Sequence, residues 1–452
     1  MGGAKVWETP GMRAKEHARR FPSLTSVPVV AALVLAGAVG LAHETDGQAR
    51  PWGPERVFRN ARIIDGDGRV ISSKGNLVVA DGKIVSVGGS TVPATAESID
   101  LAGRTIIPGL VNAHGHVADT QGLQTGAQFY TDANLTAQLK RYANYGVTTV
   151  MSLGGDGPAG FALRDRQEQP GLDRARIFVA GPVITAATPE AARKEVDRVA
   201  AMKPDLIKIR VDDNLGTTTK MPLEVARAVI EQAKTHNLRV AAHIFYLEDA
   251  KALVRAGAAF IAHSIRDLPV DAELIGLLKE RNVCVCPTLT REVSTFVYES
   301  EPGFFKDPFF LKYADSAVLD ALRDPKRQAQ MKQSKSAQRY KAALEVAIAN
   351  VKRLYDAGVP LASGTDTGPP ARFQGYFEHL ELELVARSGM PPAAILAMAT
   401  GGAAQCSKLT NLGFLRPGHW ADFVVLTGDP LADIKQTRTI DSVWIAGRRV
   451  ER

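Results

Sequence analysis

Residues 106–117 read IIPGLVNAHGHV, an apolar run that ends in His-Gly-His. A run this short and rich in β-branched residues suits a strand buried on both faces. Residues i and i+2 of a strand point to one side, so His114 and His116 share a face and both imidazoles can reach one ion. Seven further apolar runs follow: VTTVMSL (147–153), ARIFVAG (175–181), LIKIRV (206–211), VAAHIF (240–245), FIAHSI (260–265), VCVCPTL (283–289) and PLASGTD (360–366). Helical stretches separate them, as in 221–238 and 247–258, where apolar residues recur at close to 3.6 and Asn237 suits a left-handed cap. Eight predicted strands alternating with helices give an α/β chain folded as a (β/α)8 TIM barrel. His243 ends the fifth run, His263 the sixth and Asp366 the eighth. All reach the carboxyl-terminal mouth, where such barrels carry their sites.

Outside this region the texture changes. Residues 55–101 and 414–450 break into short alternating strands and turns. The two ends are expected to meet in one small β-sandwich domain, residues 50–105 and 406–452, around a barrel over residues 106–405. At the amino end, Arg19 and Arg20 precede the apolar stretch Val27–Ala42 and then polar HETDGQAR. This is a secretory signal pattern, residues 1–49, with cleavage expected after Ala42 or Ala49 and no stable membrane span afterwards. The expected location is periplasmic or secreted.

The net charge of +7 is the small difference between 55 basic and 48 acidic residues. No basic run is interleaved with aromatics, so no nucleic-acid track is expected. Cys284 and Cys286 stand at i and i+2 and are read as buried thiols, a spacing poorly placed for a disulfide between them. The segment from Arg291 to about Lys332 carries Phe296, Tyr298, Phe304, Phe305, Phe309, Phe310 and Tyr313. It is expected to form either a wall of the site or a packed excursion or oligomer contact, the last allowing a homo-oligomer.

The strand-end set PGLVNAHGHV, His243, His263 and SGTD, with the closing GHWADFVVL and IDSVWIAGRRV, resembles the metal-dependent amidohydrolase superfamily over nearly the whole mature chain. The closest likeness is to its imidazolonepropionase-like and Xaa-Pro dipeptidase-like members. That resemblance implies that His114, His116 and Asp366 bind a more buried metal and His243 with His263 a more exposed one. It also implies that the fourth-strand position, Lys208, is a lysine carboxylated by CO2 that bridges the two. The residues agree: Ile207, Ile209 and Val211 should face the helices, so Lys208 points inward, where a carbamate suits two dications better than an ammonium does. The alternative is an uncharged or outward lysine and a single metal. Zinc is the default ion for a His-rich set, and manganese or cobalt also suit its oxygens.

The implied reaction is hydrolysis of an amide or peptide-type C–N bond in a small N-acyl amino acid or dipeptide-like substrate. A metal-bridged hydroxide attacks, and Asp366 serves as acid and base. The same machinery also fits esters, lactones or phosphotriesters, and a non-catalytic binding protein is the third reading. Arg210 and Arg266 are candidates for a substrate carboxylate, Tyr246 for the carbonyl oxygen, and His379 for a contact near the mouth.

Overall fold

The structure is a computed structural model and describes residues 51–452. The apolar segment 27–42 and both expected cleavage points lie outside the described residues. Strands β1 (Arg56–Ile64), β2 (Val70–Ala80), β3 (Lys83–Val87), β4 (Glu97–Asp100) and β5 (Thr105–Pro108) come first. The chain then turns at Gly109 into β6 (Leu110–Gly115), followed by a small hairpin, β7 (Thr120–Gln121) and β8 (Gln124–Thr125). Strands β9 (Val147–Ser152), β10 (Arg176–Val179), β11 (Ile207–Arg210), β12 (Val240–His243), β13 (Phe260–Ala262) and β14 (Cys284–Cys286) alternate with helices. Three more close the chain: β15 (Phe423–Leu426), β16 (Ile440–Ile445) and β17 (Arg448–Arg449).

The central strands form two parallel sheets, β10-β9-β6 and β11-β12-β13-β14. At one seam Asp205 N donates to Val179 O at 2.8 Å and Ile184 bridges to Ile209; at the other Leu361 bridges to Val285 and Ala113 N donates to Ser363 O at 2.8 Å. The eighth run is therefore not a regular strand. It passes so close to the others that a Cβ on Gly364 would lie 2.5 Å from Cys286 Sγ and 2.7 Å from His114 N. Ile207, Ile209 and Val211 pack outward with the helices, and Leu206 packs inward with Ala113, Met151 and Cys286, which is the alternation that turns Lys208 to the interior.

Local signals set the helix ends. Thr188 caps Pro189–Ala200 and Ser334 caps Lys335–Asp356 by accepting from backbone amides. Asn237 lies just past Leu223–Thr235 at φ 56°, the left-handed stop its sequence suggested. The aromatic segment after β14 breaks into short helices, and Tyr298, Phe305 and Phe310 pack with Tyr145, Tyr376 and Phe377 in a separate cluster. That packing fits the packed-excursion expectation.

Strands from both chain ends share one sheet of order β17-β16-β15-β5-β1-β2-β3, with β4 beside β1. Hydrogen bonding runs through these strands in series instead of dividing them into two stacked sheets. The sheet curls until Ile84 N meets His419 O at 2.9 Å, and Phe58 lies edge-on to Phe423 at 4.9 Å and to Trp444 at 4.7 Å inside the curl. A buried ion pair, Arg176 Nε to Asp422 Oδ2 at 2.6 Å, ties β10 to this sheet. The reading of Cys284 as a free thiol is corrected. Cys284 is disulfide-bonded to Cys406, 122 residues away, and only Cys286 is a free, buried thiol. Sequence spacing tests only the i, i+2 pair, whereas the fold brings the start of β14 against the helix Gly401–Cys406.

Candidate active site

The pairing of β6 with β9 slips between Asn112 and Gly115, the kind of bulge that re-aims side chains beside functional sites. His114 and His116 leave this bulge and meet Asp366 from the eighth run. The ligand-type atoms of the three lie within 4.8 Å of one another. His116 Nδ1 faces Gly154 O at 3.0 Å, and its Nε2 faces Asp366 Oδ1 at 2.8 Å. Burial pushes the His114 imidazole well below its ordinary range, with the Lys208 charge adding to the effect, so the ring is neutral at pH 7. Burial pushes the Asp366 carboxyl upward, but the Arg372 guanidinium and the His116 hydrogen bond outweigh it and hold the group well below the usual carboxylate range.

Lys208 lies inside the barrel with Nζ 3.3 Å from His114 Nε2, and burial brings its pKa down to about 8. A substantial neutral fraction at mild pH is what an amine needs to take up CO2. The two remaining histidines are oriented in opposite senses. His243 Nε2 is bound by Asp212 Oδ2 at 2.7 Å, which leaves Nδ1 free, whereas His263 Nδ1 is bound by Thr288 Oγ1 at 2.6 Å, which leaves Nε2 free. Their ring centroids lie 4.1 Å apart, and that of His263 is 4.5 Å from that of His114, so both imidazoles stand beside the His114, His116 and Asp366 cluster. Burial depresses His243 to about 3 and His263 well below the ordinary value, leaving both neutral. His263 and Asp366 both hold left-handed backbone, at φ 80° and 57°, a conformation disfavoured for residues other than glycine and concentrated at functional sites.

A divalent cation fits this set. His114 Nδ1 and His263 Nε2 are buried nitrogens with no hydrogen-bond partner, and neutral imidazoles beside an ionised carboxylate are the donor types such ions take. A hydrogen-bonded shell backs the donors, as expected around metal ligands. Asn112 Nδ2 donates to Thr365 Oγ1 at 2.9 Å and to Glu378 Oε1 at 2.6 Å, and Thr367 Oγ1 donates to the same Glu378 oxygen at 2.8 Å.

The other expected site residues divide. Arg210 ends β11 with its side chain 41% exposed, 3.7 Å from Asp212. Tyr246 donates to Asp213 Oδ1 at 2.9 Å, and its hydroxyl stays protonated with a pKa raised to about 12, chiefly by burial. Arg266 is buried, with Nε 3.0 Å from Glu292 Oε1 and Nη1 donating to Ile244 O and Ser264 O. Its charge is met within the protein, which corrects its reading as a substrate contact. His379 is corrected in the same way: it is 1% exposed, and its two nitrogens face Thr437 Oγ1 at 2.9 Å and Tyr145 O at 2.8 Å. Sequence reasoning passed over Asp212, Thr288 and Arg372. Asp212, two residues past the end of β11, carried a signal, since a carboxylate just past a strand end is well placed to orient a histidine on the next strand.

Among solved structures, the fold is similar to that of a putative prolidase from Bifidobacterium longum, with a TM-score of 0.70, 25% identity, and coverage of 88% of this chain and 95% of that one. It is also similar to a Xaa-Pro dipeptidase with methionine bound in its active site, with a TM-score of 0.71, 21% identity, and coverage of 88% and 100%. These likenesses place the α/β architecture among TIM barrels. In sequence, ochratoxinase from Aspergillus niger is 28% identical over 288 residues, 61% of this chain and 52% of its own length, so the chain spans about half of that relative. The amidohydrolase family's sequence pattern matches residues 105–450, from β5 through the strand-end histidines to the closing strands. By that match and the clustering of those histidines with Asp366, the chain belongs to the amidohydrolase family.

Proposed function

We propose that this protein hydrolyses an amide or peptide-type C–N bond in an N-acyl amino acid or dipeptide-like substrate. The observation that carries the reading is the convergence of His114, His116, Lys208, His243, His263 and Asp366, with the His114, His243 and His263 rings neutral and Asp366 ionised. In this reading His114, His116 and Asp366 would hold one divalent ion, His243 and His263 would hold a second, and a carboxylated Lys208 would serve as a further oxygen ligand; zinc suits the donors. When bound, such ions acidify water and polarise a carbonyl.

The chain's own residues do the rest. Asp366 accepts the proton of the attacking water as its oxygen bonds to the acyl carbon. It then returns that proton to the nitrogen as the C–N bond breaks, so the amine leaves neutral. Arg372 holds the Asp366 side chain in place while this occurs. Tyr246, on exchanging its bond to Asp213, is the candidate donor to the developing oxyanion, and Arg210, at the mouth, to a substrate carboxylate.

Two structural readings accompany this one. The hydrogen bonds across both seams support a single closed barrel. The disulfide supports an exported protein, since such bonds persist in oxidising compartments.

The test is metal-loaded protein against N-acyl amino acids, dipeptides, lactones and aryl phosphates. Hydrolysis confined to amides and dipeptides is the expected result. Turnover confined to lactones or phosphates shifts the reaction class, and binding without turnover makes the chain a binding protein. Asp366→Asn is expected to retain substantial metal while turnover falls about a hundredfold or more. Near-normal turnover in that variant removes Asp366 from the proton path.

A further inference from the structure

Behind the loop that carries Asp366 lies a cavity of about 290 Å3, enclosed by the helix Asp132–Asn144, residues 120–122, residues 310–318 and residues 368–374. None of the six candidate ligands lines it, and the loop packs tightly on the first strand's end: a Cβ on Gly368 would lie 2.5 Å from His116 O. Phe310, Tyr313 and Phe373 supply rings to its wall, and Arg141 and Arg372 supply positive charge. Its one acid, Asp315, is engaged in capping the helix Ser316–Leu322. Arg141 forms no ion pair among the described residues. Arg372 spends Nη1 on Asp366, through Oδ2 and the backbone carbonyl, while its Nε and Nη2 donate to no described protein group.

Two more observations point to a ligand. Tyr313 and Thr120, both in the wall, carry buried hydroxyls without a hydrogen-bond partner, a costly state that a ligand oxygen relieves. The wall is also fixed in advance, because Gln374 Nε2 donates to Gln138 Oε1 at 2.8 Å and to His116 O at 2.9 Å, and Gln138 Nε2 donates to Ala118 O at 2.8 Å.

We propose that this cavity is a second binding site, for a small molecule with a carboxylate and an aromatic or apolar body, and that Arg372 couples its occupancy to Asp366. A carboxylate on the free edge of Arg372 shares that cation with Asp366. Each anion then weakens the other's hold, and linkage makes the effect reciprocal.

Phenylacetate is the probe, titrated calorimetrically into metal-loaded full-length protein. One-to-one saturable binding is expected, weakened about tenfold by Arg141→Gln and by Tyr313→Phe, neither of which touches the candidate ligand set. Zinc affinity measured with and without phenylacetate should differ several-fold, and Arg372→Gln should abolish the difference. These readouts need no turnover, so they stand or fall apart from the hydrolase reading. The proposal is overturned by absence of saturable binding, by binding that both wall variants leave unchanged, or by zinc affinity indifferent to phenylacetate.

Discussion

Asp212 and Thr288 decide which nitrogen each strand-end imidazole presents, and they do so in opposite senses, Nδ1 from His243 and Nε2 from His263. Asp212→Ala is therefore expected to weaken metal binding by about 10- to 100-fold while the circular dichroism spectrum is unchanged, and zinc titration against a chelator reads this directly. An unchanged affinity removes Asp212 from the orienting role. Lys208 gives a pH-dependent expectation. Its amine is mostly protonated below a pKa of about 8 and mostly neutral above it, and only the neutral form captures CO2. Carbon-13 spectra of metal-free protein in labelled bicarbonate should show a carbamate signal that grows as pH rises through 8 and is absent from Lys208→Ala. The six candidate ligands were legible because each is a donor residue on or just past a predicted strand. Arg266 and His379 were misread because their partners, Glu292, Thr437 and Tyr145, come from other elements, and nothing in the local sequence says that a charge or a ring is already satisfied.

His379 fastens three elements: the helix Tyr376–Ala386 that bears it, the end of the helix Asp132–Asn144 at Tyr145, and Thr437 in the carboxyl-terminal segment. Burial depresses its pKa from 6.5 to about 3. The unfolded chain takes up the proton near 6.5 and the folded one does not, so this contribution is present above pH 6.5 and is lost as pH falls toward 3. His379→Gln is expected to cost about 1–3 kcal/mol at pH 7 and to flatten the loss of stability between pH 6.5 and 4, measured by urea melts. Equal slopes for the two proteins discard the staple. At this scale the sequence is most readable where the period is strong, as in Leu223–Thr235 or in β11 with its outward isoleucines. It is least readable in the run 360–366, which has a strand's composition and hydrogen bonds to both neighbours but forms only a single bridge, Leu361 to Val285, in place of a regular ladder.

Across the whole molecule, the Cys284–Cys406 bond closes a long loop between the seventh barrel strand and the helix that leads to the closing strands. Cys406→Ser, or reduction of the native protein, is expected to lower stability by about 2–4 kcal/mol, and calorimetry with and without reductant separates this bond from Cys286, which stays free in both cases. No shift on reduction discards the bond. That the two chain ends share a sheet was legible in their common strand-and-turn texture; that the sheet is one curled ribbon was not, because curl depends on which edges meet. The shared sheet also sets a timetable. β5 pairs with β15, and about three hundred residues of barrel lie between them, so during synthesis at about 5–20 residues per second the amino-terminal strands wait on the order of 15–60 s for their partner. Throughout that interval β5 presents an open, apolar edge, and a chain cut short before residue 423 keeps that edge as a template for pairing with other chains.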